Sequence, residues 1–179
     1  MKLDIGCGGQ KKKGFIGLDI LKLEGVDIVH DLTLFPYPFD DDSVDEVYMD
    51  NCLEHIPNPM KVVEEIYRIS KNNTKVTIAV PYCRSHYATI DPTHVNFFGV
   101  NWFNYFDPKH IFQQKMQYST AKMSVKSITF DREWLFPKSH GFFHGLLIKF
   151  ANKYPYKYEA RLSHILPLSS LTFNLEIIK

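Results

Sequence analysis

Short apolar runs, each stopped by turn-forming residues, set the rhythm of the first half of the chain. Leu3-Asp4-Ile5 leads into Gly6-Cys7-Gly8-Gly9, and Phe15 to Ile20 and Val26 to His30 read as second and third strands. Asp45 to Met49 reads as a fourth, after a turn at Asp40-Asp41-Asp42-Ser43. From Pro59 to Lys71 the period changes. Met60, Val63, Ile66, Tyr67 and Ser70 recur at helical spacing with Glu64, Glu65 and Arg68 turned outward, which predicts an amphipathic helix. Lys75 to Val80, β-branched and stopped by Pro81, predicts the fifth strand.

The second half follows another pattern. Val125 to Phe130 and Leu171 to Ile178 read as strands, and Leu171, Phe173, Leu175 and Ile177 alternate with Thr172, Asn174 and Glu176. Such alternation suits an edge hairpin half exposed to solvent. Between them Phe142, Phe143, Leu146, Leu147 and Phe150 predict a helix with one apolar face, bounded by Pro155. Residues 82–123, rich in aromatics and turn formers, predict an irregular insert with short helices near the ligand site. Strands alternating with helices imply an α/β fold: a mostly parallel sheet, covered on both faces, with its ligand site beyond the carboxyl ends of the strands.

The 179 residues suit one domain spanning 1–179, and 45% hydrophobic with 23% charged residues is a globular composition. A net charge of +1 supplies no basic surface for nucleic acid. Cys7, Cys52 and Cys83 form no Cys-x-x-Cys pair, so a reducing, cytoplasmic setting is expected. No signal-peptide pattern opens the sequence, and the apolar cluster around Phe142 to Phe150 is far shorter than the roughly 20 residues that span a bilayer; no membrane partner is expected.

The glycine loop admits close backbone approach to a ligand. It is not a phosphate loop, because no Gly-Lys-Ser/Thr follows, and Lys11 stands where a dinucleotide fingerprint needs its third glycine. Only Gln10-Lys11-Lys12-Lys13 separates Gly9 from Gly14, too little for a crossover helix. The first helix is therefore expected to be a loop, with no helix N-terminus to receive a pyrophosphate. Asp4 precedes the glycines, Asp19 ends the second strand and Asp31 follows the third, which gathers three carboxylates on one sheet edge if the strands are parallel. Such a carboxylate can accept both hydroxyl protons of a ribose, while Asp19 and Asp31 can equally serve as turn or cap residues. The set beside a glycine loop favours a nucleoside that is cationic elsewhere.

With these residues in place the sequence resembles the small class I S-adenosylmethionine-dependent methyltransferases whose first helix is reduced to a loop. The resemblance runs through Leu3-Asp4-Ile5-Gly6-Cys7-Gly8, Gly14-Phe15-Ile16-Gly17-Leu18-Asp19, His30-Asp31-Leu32 and Phe39-Asp40-Asp41-Asp42-Ser43-Val44-Asp45-Glu46-Val47-Tyr48. It continues in Leu53-Glu54-His55-Ile56, Glu65-Ile66-Tyr67-Arg68 and Asp91-Pro92-Thr93-His94. It implies a Rossmann-like seven-stranded sheet with an antiparallel C-terminal hairpin and S-adenosyl-L-methionine as cofactor. Gly6, Cys7 and Gly8 would meet the methionine part, Asp4 the amino group, Asp19 the ribose, and Asp31 and Leu32 the adenine. Where the family carries Lys-Pro-Gly-Gly this chain has Lys71-Asn72-Asn73-Thr74, and asparagine can take the same turn.

Methyl transfer is an in-line displacement that needs nucleophile and methyl carbon held together, with a base only where the acceptor must lose a proton. Phe97, Phe98, Trp102, Phe103, Tyr105 and Phe106 supply aromatic walls, of which at least half are expected to be ordinary core. His86, Asp91 and His94 are the candidate catalytic groups on the acceptor side; equally, Asp91 would cap a turn and His94 bond to backbone. Asn51 is expected on the cofactor cleft; Glu54-His55 beside it could line that cleft too, with a structural role at the start of the helix the favoured reading. No metal is expected: Cys83, His86 and His94 fit no compact ligand pattern, and the Asp40 to Asp42 run departs from a calcium loop. Lys11-Lys12-Lys13 reads as a solvated loop, from which one lysine could meet the methionine carboxylate.

The expected acceptor is a small molecule or glycan-like compound. The alternatives are an inactive cofactor-binding interaction module and, less favoured, an NAD-dependent oxidoreductase. Asp50-Asn51-Cys52 replaces the Pro-Pro-aromatic run used on flipped bases, which disfavours a nucleic-acid acceptor. Loss of the first helix should uncover sheet, to be covered by the C-terminal helix or by a second copy in a homodimer.

Overall fold

A computed structural model describes residues 1–131 and 142–179. Seven strands form one sheet: β1 (Lys2–Ile5), β2 (Ile16–Asp19), β3 (Ile28–Val29), β4 (Val44–Asp50), β5 (Ser70–Pro81), β6 (Met123–Phe130) and β7 (Ser170–Ile177). Their order across the sheet is β3-β2-β1-β4-β5-β7-β6. The first five are parallel, and β7 runs antiparallel to both β5 and β6. The sheet therefore diverges between β1 and β4, the switch point where open α/β sheets bind ligands beyond the strands' carboxyl ends.

The main crossover helix is α1 (Pro59–Ile69), which begins where Asn58 accepts the Lys61 N–H at 3.2 Å and proline takes the first position. Val62, Val63, Ile66 and Ile69 bury its apolar stripe. Asn58, rather than Glu54 or His55, starts this helix, because those two lie in a separate 3₁₀ turn, Leu53–His55. Glu65 is not turned outward either. It is buried, accepts the Tyr37 N–H at 2.6 Å and pairs with Arg68, whose guanidinium also donates to the Tyr37 and Phe39 carbonyls. The pair fastens the β3–β4 loop to the helix.

No helix occurs in the β1–β2, β2–β3 or β3–β4 connections. In the first of these Asp4 accepts the Lys12 N–H at 2.7 Å, and the Lys12 ammonium sits over the rings of Phe15 (4.7 Å) and Tyr48 (4.3 Å). Lys11 pairs with Asp27 at 2.6 Å. The loop is solvated in that Lys12 and Lys13 are exposed, while Lys11 is half-buried and Lys12 reaches back to β1 and β4. The C-terminal helices cannot substitute for the missing first helix, because α4 (Phe142–Lys153) and α5 (Pro155–Arg161) pack by β6, at the opposite end of the sheet from β3.

The antiparallel pair ends the sheet as expected, with one refinement: β7 lies inside, and only β6 is an edge. Thr172 is consequently buried along with Leu171 and Phe173. On α4 the buried and partly buried apolar residues are Leu147, Ile148 and Ala151, while Phe143, Leu146 and Phe150 are exposed, contrary to the single buried stripe the pattern predicts. The insert carries α2 (Tyr87–Ile90), a 3₁₀ turn at Trp102–Tyr105 and α3 (Ile111–Met116). No helix among the described residues is long and apolar enough to cross a membrane.

Candidate active site

The parallel register brings the glycine loop, Asp4 and Asp19 together at one sheet edge. Asp4 lies opposite Gly17, so Asp19, two residues on, stands beside Gly6. Asp19 is 9% exposed; its Oδ2 accepts the Gly8 N–H at 2.8 Å and its Oδ1 the Leu21 N–H at 2.9 Å. Each oxygen keeps a second lone pair for a hydroxyl donor. Val29 lies opposite Asp19, and Asp31 follows two residues later. Asp31 makes a turn of its own by accepting from Thr33 N and Oγ1, both at 2.8 Å, and those bonds hold its carboxyl below the usual range. Leu32 is buried in the core.

Gly6 and Gly8 take positive φ, +68° and +53°. A Cβ on Gly6 would fall 2.2 Å from Cys52 Sγ, whereas one on Gly8 would meet nothing within 4 Å. The loop therefore closes against β4's exit on one side and faces open space on the other. Cys7 packs its sulfur over Gly17, and burial first, then the charges of Asp4 and Asp19, push its thiol up to about 11. Burial likewise raises Asp4. Asp50, which the sequence reading passed over, accepts from Tyr48 Oη at 2.6 Å and Asn51 Nδ2 at 3.1 Å and faces Asp4 closely enough to raise its carboxyl further. Asn51 adopts a left-handed φ of +47°, a strained exit from β4 that asparagine tolerates.

Next to this edge lies a cavity of about 270 Å³ lined by Asn51, Glu54, His55, Pro81, Tyr87, Ile90, Asp91, His94, Ser169 and Ser170. It opens at the carboxyl ends of β4 and β5 and the start of β7. The insert is pinned there because Val95 N and Asn96 N both donate to the Glu54 carbonyl, at 2.9 and 3.1 Å. Of the candidate catalytic residues, Asp91 and His94 line the cavity. His86 does not; it is exposed, with its ring against Tyr87. Both plainer roles of Asp91 and His94 are also present: Asp91 Oδ1 accepts from Thr93 N at 2.8 Å, and His94 Nδ1 lies 3.2 Å from the Ala88 carbonyl. Phe98, Phe103 and Phe106 are core, and none of the six aromatics of residues 97–106 lines this cavity, whose apolar walls are Pro81, Tyr87 and Ile90.

Glu54 and His55 belong to this cavity as well, the less favoured of the two roles their sequence position allows. Glu54 is 1% exposed, and burial pushes its carboxyl up to about 7, partly offset by its own backbone N–H. His55 is lowered by burial and by its neighbour His94. A charged side chain directly after a strand that ends at a ligand edge was the available signal.

Residues 21–78 match the methyltransferase domain family. Solved structures agree across the whole chain. One of an S-adenosylmethionine-dependent methyltransferase from Archaeoglobus fulgidus has 21% identity and a TM-score of 0.57, covering 98% of this chain and 85% of that one. The chain is built on the fold of the class I S-adenosylmethionine-dependent methyltransferases. A phosphoethanolamine N-methyltransferase 2 from Haemonchus contortus, solved with S-adenosyl-L-methionine, shares this methyltransferase fold at 15% identity and a TM-score of 0.54, covering 99% of this chain and 48% of that one. So does the [4+2]-cyclase SpnF, at 13% identity and a TM-score of 0.58, covering 99% of this chain and 74% of that one. No curated protein matches the sequence. The likeness shows the fold alone, so the chemistry rests on the residues at the carboxyl ends of the strands.

Proposed function

We propose that this chain transfers a methyl group from S-adenosylmethionine to a small-molecule or glycan-like acceptor held in the cavity at the ends of β4, β5 and β7. The observation that carries the reading is continuity. Cys52 packs on Gly6, while its neighbour Asn51 lines the cavity, so the glycine edge and the cavity share one wall.

The donor set suits the cofactor. Asp4, Asp19 and Asp50 present acceptor-only carboxylates, matched to ribose hydroxyls and to an ammonium group, and Gly8 leaves room for close approach. Asp19 would hold the ribose while anchoring the loop through Gly8. Asp4 would lie towards the amino group, and Asp31 towards the adenine. When bound, the cofactor supplies an electrophilic methyl on a sulfonium. The chain's own part is to orient an acceptor in line with it and to exclude water. His94 and Asp91 stand on the acceptor side of the shared wall, where His94 can orient or deprotonate a hydroxyl. A volume of about 270 Å³ favours a small acceptor group over a large one.

A second reading, a cofactor-binding module without catalysis, draws on the exposed Phe143, Leu146 and Phe150 of α4, an apolar stripe suited to a protein partner. The two readings part in one experiment: an acceptor screen with methyl-labelled S-adenosylmethionine. Release of S-adenosylhomocysteine with label on an acceptor supports methyl transfer. Saturable cofactor binding with no turnover across hydroxyl, amine and carboxylate acceptors supports the module.

A further inference from the structure

Glu54 is buried to 1% exposure, and neither of its carboxylate oxygens has a hydrogen-bond partner from another residue. A buried carboxylate left this way is costly unless it takes up a proton or a cation meets it. Two imidazoles converge on it. His94 Nε2 lies 3.9 Å from Glu54 Oε1, and the His55 and His94 rings stand 4.6 Å apart at 67°.

The 3.9 Å separation is too long for a hydrogen bond. It suits two ligands of one ion, since atoms each about 2.1 Å from a metal lie between about 3.4 Å (tetrahedral) and 4.2 Å (opposed) apart. The ligand atoms of Glu54, His55 and His94 all fall within 4.8 Å of one another, so closing on a tetrahedral ion shortens the widest separation by at most about 1.4 Å, or about 0.7 Å per side chain.

Hydrogen bonds to the outer nitrogen of each ring fix both tautomers. His94 Nδ1 faces the Ala88 carbonyl at 3.2 Å, which can only accept, so that nitrogen carries the proton and Nε2 presents its lone pair toward Glu54. Thr93 Oγ1 donates to Asp91 Oδ1 at 2.6 Å and so accepts from His55 Nδ1 at 2.9 Å, which frees His55 Nε2. Metal-ligating histidines are oriented by such outer bonds, to a carbonyl in one case and through a hydroxyl to a carboxylate in the other. Two imidazoles and one carboxylate favour a first-row divalent ion such as zinc over magnesium or calcium, which prefer oxygen.

We propose that Glu54, His55 and His94 form a three-ligand site for a divalent transition-metal ion, zinc as the first candidate, whose open positions face the cavity and take an oxygen of the acceptor. Only that last clause rests on the proposed methyl transfer, and with the ion bound His94 serves as a ligand in place of a base; the metal site stands on its own geometry.

The test is calorimetric titration of zinc chloride into chelator-treated, full-length protein. One saturable site per chain is expected, lost or weakened at least 100-fold in Glu54→Ala and His94→Ala and unchanged in His164→Ala, an exposed histidine elsewhere. Thr93→Val keeps all three ligands but breaks the outer bond to His55, and is expected to weaken binding roughly 10- to 100-fold. It decides the matter should circular dichroism show either ligand variant unfolded. Cobalt in place of zinc should give a visible ligand-field band that His94→Ala abolishes. The absence of saturable zinc binding by the wild type, or equal binding by wild type, ligand variants and Thr93→Val, overturns the site. S-adenosylhomocysteine binding on the same samples separates the two assignments: cofactor bound without zinc defeats the metal site alone, and zinc bound without cofactor defeats the methyl-transfer reading alone.

Discussion

Cys52 fills the space that any side chain on Gly6 would need: its Sγ and Cβ lie 2.2 and 2.6 Å from where a Gly6 Cβ would be. The exit of β4 and the turn after β1 are thereby locked together, and Gly6 also holds φ at +68°. Gly6→Ala should therefore lower thermal stability, the left-handed backbone alone costing about 1 kcal/mol and the collision more. Adding Cys52→Gly should restore part of the loss, whereas Cys52→Ala, which removes the Sγ but retains the Cβ at 2.6 Å, should restore less. Melting temperatures of the single and double variants check this.

Glu65 and Arg68 clamp the loop that carries Tyr37 and Phe39. Glu65→Ala leaves the Tyr37 N–H and the guanidinium without their partner and should cost on the order of 3 kcal/mol. Glu65→Gln, which keeps an acceptor oxygen for Tyr37, should cost less. Urea unfolding should show a lower midpoint with an unchanged slope for both.

How much of this was written in the sequence depends on the range of the interaction. The strand tips and the helix-free first connection were legible, because Gly6 to Gly14 is too short for anything else and each short apolar run stops at turn-forming residues. Asn73 adopting φ +65° where a relative would use glycine was legible for the same local reason. Glu65 read as solvent-facing because its partner, the Tyr37 N–H, is 28 residues away. The inner position of β7 and the outward Phe143 and Phe150 depend on what packs beside them, which periodicity does not carry. Glu54 and His55 lie close to the helix start in sequence, which favours a role there over the cleft, yet their neighbour in space is His94 from the insert.

Cys7 offers a pH test. Burial and two nearby carboxylates raise its thiol to about 11, so the folded protein keeps a proton that the unfolded chain, with an ordinary thiol near 9, releases. Its contribution to stability is present below pH 9 and lost as pH rises through 11. At pH 8 the thiolate fraction is roughly 100-fold below that of an unstructured thiol. Peptide mapping after iodoacetamide should find Cys7 alkylated slowly at pH 8 and about tenfold faster per pH unit above it. S-adenosylhomocysteine should slow the reaction further at every pH.

Everything proposed for the cofactor turns on Asp19, which ties down Gly8 and offers its remaining lone pairs to a ribose. Calorimetry with S-adenosylhomocysteine tests that most directly. Wild-type protein should bind one equivalent saturably, Asp19→Ala should bind roughly 10- to 100-fold more weakly, and Asp19→Asn should fall between. No saturable binding by the wild type, or equal affinity for all three proteins, would contradict the account.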